Sequence, residues 1–298
     1  MHRIGIDIGG TQLRAALFDA DCSIVKRVRF SNDRTRTAGE NMDKLIGFIN
    51  DCFDGGLGRA DCAGIGVGCP GPLDFIAGKV LNPPNLYGWK DFELAAYVSK
   101  KTGLRVTLNN DANCAGLAES LLGAGKGCES VFYITVSTGI GGAYVYRGEL
   151  VNGAHCSAAE AYNLIVCEDR YCHQGANAGS MNEVCGGDAL ARQAREVFGR
   201  EVPPKELYEE LYLKEKNPEA VRLIDAWFCN LAKGIANIAC IVDPDIFILG
   251  GSISLKTKGF METLTEKAKP YLIHPESLRL EKALLGEDAG LIGAALLC

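Results

Sequence analysis

The chain has 298 residues, of which 47% are hydrophobic and 23% charged, and its formal net charge is −6 at pH 7. This composition is typical of a soluble globular protein, and the length allows two domains of ordinary size. The acidic balance argues against a nucleic-acid-binding protein, the apolar runs are too short to cross a membrane, and 13 scattered cysteines do not suggest a disulfide framework. We therefore expect a cytoplasmic protein with no nucleic-acid or membrane partner.

The first segment, residues 3–18, alternates isoleucines and then turns at two glycines before a second apolar run, which predicts a β-hairpin. A turn made of Gly9 and Gly10 lets backbone N–H groups approach a phosphate, and Thr11 adds a hydroxyl donor. Asp7, just before the glycines, could hold Mg²⁺ through a water molecule. The alternative is a plain hairpin in which Asp7 is only a turn residue.

The next elements are predicted from hydrophobic periodicity and from glycine and proline positions. They are a strand at 23–30, a helix at 39–53, a buried strand at 63–67 and a helix at 92–101. A rigid loop at 68–74 follows the buried strand. In the polar-aromatic stretch before the second helix, Trp89 is expected to pack rather than to stack on a ligand.

Residues 105–119 place one carboxylate at a strand-to-helix turn. An apolar run ends at Leu108, two asparagines and Asp111 follow, and an alanine-rich helix then begins. Asp111 could simply cap the helix, because aspartate accepts hydrogen bonds from its first N–H groups. It could instead be the base that the neighbouring phosphate-type turns require.

A second glycine-rich turn lies within residues 131–146, where an alternating strand ends at Ser137, Thr138 and Gly139 before a returning strand. It repeats the arrangement of residues 3–18. An internal repeat of this kind suggests duplicated domains, each with a hairpin that could hold part of one nucleotide.

The rest of the chain is predicted to be mainly helical. Helices are expected at 187–198, 204–213 and 218–241, with Pro204 and Pro218 in first turns. A buried strand at 245–249 leads to Gly250 and Gly251, which form either a nucleotide-facing turn or an ordinary strand-to-helix turn. A helix rich in glycine and alanine at 284–297 ends the chain, and its small residues permit close packing.

Several motifs together resemble the ROK family of sugar kinases and sugar-responsive repressors. They are DIGGT at 7–11, GCPGPLD at 68–74, NDAN at 110–113, STGIGG at 137–142 and DPDIFILGG at 243–251. The resemblance runs from residue 3 to about 297 in the family's order. It implies the two-domain α/β, actin/hexokinase-like (ribonuclease H-like) fold, with sugar and ATP in the cleft. We expect domains at 1–112, with the helix at 288–298 packing back on it, and at 113–287.

The resemblance also implies a role for individual residues. Asp111 would be the catalytic base, Asn110 would orient the sugar and Asp7 would position Mg²⁺. The residues expected to bind ATP are Gly9, Gly10, Thr11, Thr138 and Gly139 at the phosphates and Gly250 and Gly251 near adenosine. The other residues expected to contact the sugar are Gly71, Asn85, Glu160, Asn163 and Glu183.

The chain departs from the family at its zinc motif. In the family an E-x-G-H segment and a C-x-C-G-x-x-G-C-x-E segment hold a structural zinc through a histidine and three cysteines, while the two glutamates bind sugar. Glu160 matches the first glutamate, and the second falls on Asn182 without a gap or on Glu183 with one insertion; we predict Glu183. The four zinc positions carry Asn163, His173, Gly175 and Ser180. We predict no structural zinc, although a displaced site could still be built from His155, Cys167, Cys172, His173 and Cys185.

The predicted function is ATP-dependent phosphorylation of a free hexose, at its 6-hydroxyl, with glucose favoured and N-acetylmannosamine or another N-acetylhexosamine as the alternative substrate. A sugar-binding regulatory protein without turnover is the alternative of another class. ROK repressors carry a helix-turn-helix before the first hairpin, which here starts at residue 3, so a repressor is not expected. The family resemblance also suggests a homodimer.

Overall fold

A computed structural model describes residues 1–173 and 175–298. The chain divides into two compact units. Unit 1 comprises Met1–Leu122, Asn152–Ala158 and Leu285–Cys298, and unit 2 comprises Gly123–Val151 and Ala159–Leu284. Of the helices in the described ranges, none combines the length and apolarity that crossing a bilayer requires.

The strands, in chain order, are β1 (His2–Ile8), β2 (Gln12–Phe18), β3 (Ile24–Ser31), β4 (Cys62–Cys69), β5 (Leu73–Asp74), β6 (Lys79–Val80), β7 (Val106–Asn110), β8 (Ser130–Val136), β9 (Ile140–Tyr146), β10 (Glu149–Leu150), β11 (Ile246–Gly250) and β12 (Leu280–Lys282). The helices are α1 (Ala38–Asp54), α2 (Leu94–Thr102), α3 (Asp111–Leu121), α4 (Met181–Cys185), α5 (Gly187–Phe198), α6 (Pro204–Glu206), which continues as the π-helical segment Leu207–Lys214, α7 (Pro218–Val242), α8 (Ser252–Lys256), α9 (Phe260–Ala268) and α10 (Ala289–Leu296). Short 3₁₀ turns lie at Arg59–Asp61, Ala161–Asn163, Lys269–Tyr271, Pro275–Ser277 and Gly286–Asp288.

Unit 1 is built on a five-stranded sheet in the order β3-β2-β1-β4-β7, with β5 and β6 forming a separate two-stranded ribbon. The first hairpin is antiparallel, whereas β4 and β7 run parallel to β1. The parallel register aligns Asp7 with Gly68, and Gly68 with Asn109. The carboxyl ends of β1, β4 and β7 therefore meet at one edge of the sheet, where Asp7 and Asp111 both lie.

Helix α1 covers one face of this sheet. It begins with a capping box in which Thr37 Oγ1 accepts from Glu40 N at 3.3 Å and Glu40 Oε2 accepts from Thr37 N at 2.8 Å. Met42, Leu45 and Ile49 are fully buried on its inner face, as the sequence predicts. Trp89 is also fully buried and makes an edge contact with Phe92, which confirms its packing role.

Helices α10 and α3 pack together, and α10 also lies against β1 and β4. Small residues make this possible, since a Cβ atom on Gly293 would lie 1.7 Å from the Cys114 carbonyl oxygen and one on Gly66 would lie 1.7 Å from the Ala294 carbonyl oxygen. The predicted close packing of the C-terminal helix is confirmed. Because α3 packs on α10, all of α3 belongs to unit 1, whereas the domain boundary expected from the sequence falls at residue 112, in its first turn.

Unit 2 repeats the topology with a five-stranded sheet in the order β10-β9-β8-β11-β12. Here too an antiparallel hairpin, β8 with β9, is followed by parallel strands, β11 and β12. Helix α7 supplies the core with Trp227 and Phe228, which pack edge to face at 4.9 Å between ring centroids. The predicted α/β class, including the repeated strand-turn-strand arrangement, is confirmed in each unit.

Some short elements were not predicted, namely β5, β6, β10, β12, α4, α8 and α9. Except for α9, these elements have too few residues for an apolar period to be recognised; α9 carries Phe260, Leu264 and Ala268 at helical spacing and could have been predicted. The C-terminal helix is also shorter than expected, because Gly286–Asp288 forms a 3₁₀ turn before α10.

Candidate active site

Asp111 is the first residue of α3, and the helix cap is its neighbour Asn110. The Asn110 side-chain oxygen accepts from Ala112 N at 2.8 Å, and Asp111 Oδ1 accepts from the same N–H at 2.9 Å. The interpretation of Asp111 as the N-cap is therefore wrong. The cap is supplied by the Asn110 amide, so Asp111 is not needed as the N-cap and one of its carboxylate oxygens has no part in the bond to Ala112 N.

Burial, together with the nearby Asp7 carboxylate, raises the pKa of Asp111 from 3.8 to about 6. A carboxylate whose pKa lies close to neutral pH is suited to accept a proton. The buried thiols of Cys69 and Cys114 lie near the same carboxylates, and burial also raises their pKa values well above the usual range. These thiols are consequently protonated and poor nucleophiles.

Asp7 is paired with Arg14, its partner in the β1–β2 register. Asp7 Oδ2 accepts from Arg14 Nε at 2.9 Å and from Arg14 Nη2 at 2.5 Å, and Arg14 Nη1 donates to the Glu287 carbonyl at 2.8 Å. Arg14 thus compensates one carboxylate charge beside Asp111. Arg14 was not among the residues predicted from the sequence, although its position opposite Asp7 in the predicted hairpin could have indicated it.

The first glycine-rich turn lies beside Asn85. Gly9 N donates to the Gln12 carbonyl at 2.8 Å, and a Cβ atom on Gly10 would lie 3.0 Å from the Asn85 carbonyl oxygen. Asn32, which the sequence analysis also missed, donates through Nδ2 to the Gly9 carbonyl at 2.9 Å. These contacts fix the backbone of the turn from outside it.

The space in front of this turn is a cavity of about 420 Å³. It is lined by Asp7, Gly9, Thr11, Gln12, Arg14, Arg29 and Glu287. Arg14 and Arg29 are paired with Asp7 and Glu287, so the donors that suit an anionic group such as phosphate are the N–H groups of the turn and the Thr11 hydroxyl.

Gly71 adjoins Asn110, since a Cβ atom on Gly71 would lie 3.6 Å from Asn110 Nδ2. The Asn110 oxygen is committed to the helix cap, so its amide nitrogen is the part of the side chain that can donate to a ligand. In unit 1 the fold thus gathers the predicted residues around the carboxyl ends of β1, β4 and β7.

In unit 2 the second glycine-rich turn is fixed by its surroundings. The carbonyl oxygens of Ser137 and Thr138 accept from Gly187 N at 2.8 Å and Asp188 N at 3.0 Å. A Cβ atom on Gly139 would lie 2.6 Å from Asn182 Oδ1, so only glycine fits there without a shift.

The turn at Gly250 and Gly251 adjoins the second glycine-rich turn, because Thr135 and Gly250 are register partners in β8 and β11 and Ser137 Oγ lies 3.1 Å from Ser252 Oγ. Gly251 has a φ of +90°, and a Cβ atom there would lie 2.4 Å from the Val136 carbonyl oxygen. Packing against β8 therefore accounts for this glycine by itself, and its contact with adenosine stays a prediction.

The predicted sugar-binding residues of unit 2 differ in their surroundings. Glu160 is partly buried and precedes the 3₁₀ turn Ala161–Asn163, which packs on β9 and α4. The Asn163 oxygen accepts from Asn177 N at 2.6 Å. Glu183 is 4% exposed on α4, and its Oε1 accepts from Asn182 Nδ2 at 3.0 Å.

The residues discussed for a displaced zinc site do not form a cluster. Cys185 is fully buried with its thiol toward the Trp227 carbonyl, and Cys172 is exposed. Within residues 1–173 and 175–298, no three histidine, cysteine, aspartate or glutamate side chains come together as metal ligands. Absence of zinc from the purified protein stays a prediction.

A sequence model of the ROK family matches residues 3–298. A glucokinase of Thermotoga maritima is 28% identical over 98% of this chain and 95% of its own length. The crystal structure of a ROK hexokinase from Thermus thermophilus is 34% identical and superposes with a TM-score of 0.90, covering 99% of this chain and 97% of that one. A ROK glucokinase from Streptomyces griseus, crystallised with glucose and AMPPNP, is 28% identical with a TM-score of 0.77, covering 100% and 99% of the two chains.

Proposed function

The chain belongs to the ROK family and has the two-domain actin/hexokinase-like fold, and from that premise we propose that it is an ATP-dependent sugar kinase whose acceptor is the 6-hydroxyl of a free hexose. Glucose is the favoured substrate. The observation that carries this proposal is Asp111, a desolvated carboxylate with a pKa of about 6 at the start of α3. A carboxylate with a pKa near neutral pH can take the proton of the attacking hydroxyl, which a protein that only binds sugar does not require.

In phosphoryl transfer the protein mainly positions the reactants and stabilises charge. Asp111 accepts the proton of the attacking sugar hydroxyl, and the Asn110 amide nitrogen orients the sugar. Gly71 and Asn85 adjoin Asn110 and the first glycine-rich turn, respectively, which supports their assignment to the sugar. Glu160, Asn163 and Glu183 are the polar side chains proposed for the other hydroxyls.

The residues around Asp7 suit magnesium and a nucleotide. Asp7 Oδ2 is occupied by Arg14, which leaves Oδ1 to accept from a metal-bound water, and Mg²⁺ in such sites needs only one or two protein carboxylates. When bound, Mg²⁺ neutralises charge on the ATP phosphates. We propose that the turn residues Gly9, Gly10, Thr11, Thr138 and Gly139 offer N–H and hydroxyl donors to the phosphates, and that Gly250 and Gly251 contact adenosine.

The alternative substrate is an N-acetylhexosamine, in particular N-acetylmannosamine. A single altered contact changes the preference for one sugar over another by only about 1–3 kcal/mol, so the preferred sugar must be determined by measurement. ADP release should be measured with glucose, mannose, N-acetylglucosamine and N-acetylmannosamine, with 6-deoxyglucose as the matched control for the acceptor hydroxyl. Turnover with glucose and none with 6-deoxyglucose is expected. Sugar binding without ADP release from any sugar in the panel would support the regulatory protein instead.

A further inference from the structure

Asn182 touches both a glycine-rich turn and a predicted sugar-binding acid. Its Oδ1 accepts from Ile140 N at 3.1 Å, at the end of the Ser137–Thr138–Gly139 turn, and its Nδ2 donates to Glu183 Oε1 at 3.0 Å. A backbone N–H can only donate and an ionised carboxylate can only accept, so the two partners fix the orientation of the amide. We propose that Asn182 is a positioning residue that couples nucleotide binding at this turn to sugar binding at Glu183.

The backbone on both sides of this link is held by other contacts. Gly187 N and Asp188 N donate to the carbonyls of the turn. On the other side, Arg192 Nη2 donates to the Glu183 carbonyl at 3.0 Å, while the Arg192 guanidinium lies 3.8 Å from the centroid of the Tyr171 ring. With both backbones fixed, the Glu183 side chain is the part whose position depends on Asn182.

The direction of the Glu183 carboxylate is set by this contact because the side chain is 4% exposed and has little water to orient it. Asn182 lies directly against the turn, as a Cβ atom on Gly139 would come within 2.6 Å of its Oδ1. A nucleotide bound at the turn therefore holds the Ile140 N–H from which the amide oxygen accepts, and the amide holds the carboxylate. Sugar then binds a carboxylate that has already lost its rotational freedom, which gives positive coupling between the two ligands.

The inference rests on the proposed kinase function, and it assigns to Asn182 a role that a direct sugar contact would not have. A direct contact would weaken sugar binding equally with and without nucleotide when it is removed. A coupling residue instead changes the ratio of the two sugar affinities. That ratio is the quantity to measure, and a merely structural role would not alter it.

The experiment is calorimetric titration of glucose with and without saturating AMPPNP and Mg²⁺, on the wild-type chain, Asn182→Ala and Asn182→Asp. The wild type should bind glucose at least about fivefold more tightly with the analogue. In Asn182→Ala this factor should fall below about twofold, while AMPPNP still binds because Gly187 and Asp188 hold the turn. Asn182→Asp can still accept from Ile140 N but cannot donate to Glu183, so the coupling should be lost there as well.

The matched control is Asn50→Ala on α1, where the side chain accepts a hydrogen bond from Arg59 far from these turns in sequence. This variant should show the same ratio of glucose affinities with and without AMPPNP as the wild type. The inference is overturned if the wild type shows no coupling, if either Asn182 variant keeps it, or if Asn182→Ala weakens glucose binding equally in both conditions. Failure of the wild type to release ADP with any sugar would instead contradict the proposed function, and the two results are distinguishable because calorimetry needs no turnover.

Discussion

At the scale of single residues, two carboxylates at the edge of one sheet have different surroundings. Asp7 is paired with Arg14, whereas Asp111 has backbone N–H partners and little solvent. The two acids therefore differ in charge environment, because Arg14 compensates Asp7 while burial raises the pKa of Asp111. Here the ion-paired acid is suited to the phosphate side and the desolvated acid to proton transfer.

Replacing Asp111 by asparagine should lower kcat by several powers of ten and leave sugar affinity nearly unchanged. The amide keeps the shape and can still accept from Ala112 N, but it cannot take a proton. Steady-state kinetics and calorimetric sugar binding test both parts. Turnover close to that of the wild type would remove Asp111 from the role of base.

The same variant should be more stable than the wild type at neutral pH. The Asp111 pKa is raised to about 6 in the folded chain. Its favourable contribution to the stability of the folded chain is therefore fully present below the pKa of the unfolded chain, and it is lost as pH rises through about 6. A shift of about two pKa units corresponds to up to roughly 3 kcal/mol. Urea unfolding should show that the free energy of unfolding of Asp111→Asn increases relative to that of the wild type between about pH 4 and pH 7. A stability difference independent of pH would mean that Asp111 is not desolvated.

At the scale of elements, hydrogen bonds join the two ends of the segment between Asn163 and Met181. Val166 N donates to the Gly179 carbonyl at 2.9 Å, and Met181 N donates to the Leu164 carbonyl at 2.8 Å. Within the same segment, the Asn163 side-chain oxygen accepts from Asn177 N. Fully buried Met181 anchors the end of the segment in the core of unit 2.

From these bonds we predict that the purified protein holds no stoichiometric zinc and does not need it. A structural zinc requires four well-placed thiolate or imidazole ligands, and the family's positions carry asparagine, histidine, glycine and serine here. Elemental analysis should find far less than one zinc per chain, and dialysis against a chelator should change neither the melting temperature nor sugar affinity. About one zinc per chain, lost together with sugar binding, would require a ligand set that we have not identified.

Glycines in two helices provide a matched pair of tests. A Cβ atom on Gly293 in α10 would lie 1.7 Å from the Cys114 carbonyl oxygen, whereas one on Gly47 in α1 would meet nothing within 4 Å. Alanine is favoured over glycine by about 1 kcal/mol in a helix, but overpacking a tight contact costs about 1–3 kcal/mol or more. Chemical denaturation should therefore show Gly47→Ala stabilised and Gly293→Ala destabilised. Equal effects of the two substitutions would show that α10 does not approach α3 so closely.

At the scale of the whole molecule, unit 1 is assembled from distant parts of the chain. Its sheet comes from the first 110 residues, but α10, at the other end of the chain, covers the face that carries Ala16 and Phe18. Leu291 and Ala295 complete this cluster. The homodimer suggested by the family resemblance stays a prediction.

Residues 1–122 expressed alone should not unfold cooperatively, because they would expose the face that α10 buries. Adding a peptide of residues 285–298 should restore a cooperative transition in near-ultraviolet circular dichroism. The same peptide with Leu291→Asp serves as the control and should fail, since an unpaired charge would be buried. A cooperative transition of residues 1–122 without any peptide would contradict this assignment of α10.

The sequence by itself determined the elements that depend on neighbours along the chain. Alternating apolar residues around Gly9 and Gly139 specify the two hairpins, and α1 and α7 follow from apolar residues at helical spacing. The motifs then gave the family and with it the fold and the position of Asp111. For the second sugar-binding acid, the motifs left two adjacent candidates, Asn182 and Glu183.

The tertiary structure alone decided which side chains meet. Arg14 pairs with Asp7 because the hairpin register places them opposite each other, and Asn182 joins Ile140 to Glu183 because α4 packs against a turn some 40 residues earlier. Likewise the cap of α3 is Asn110 and not Asp111, which depends on backbone angles at the end of β7. The hairpin register could have indicated Arg14, but local patterns carry no signal for the contacts of Asn182, since their free energy comes from groups that only folding brings within hydrogen-bonding distance.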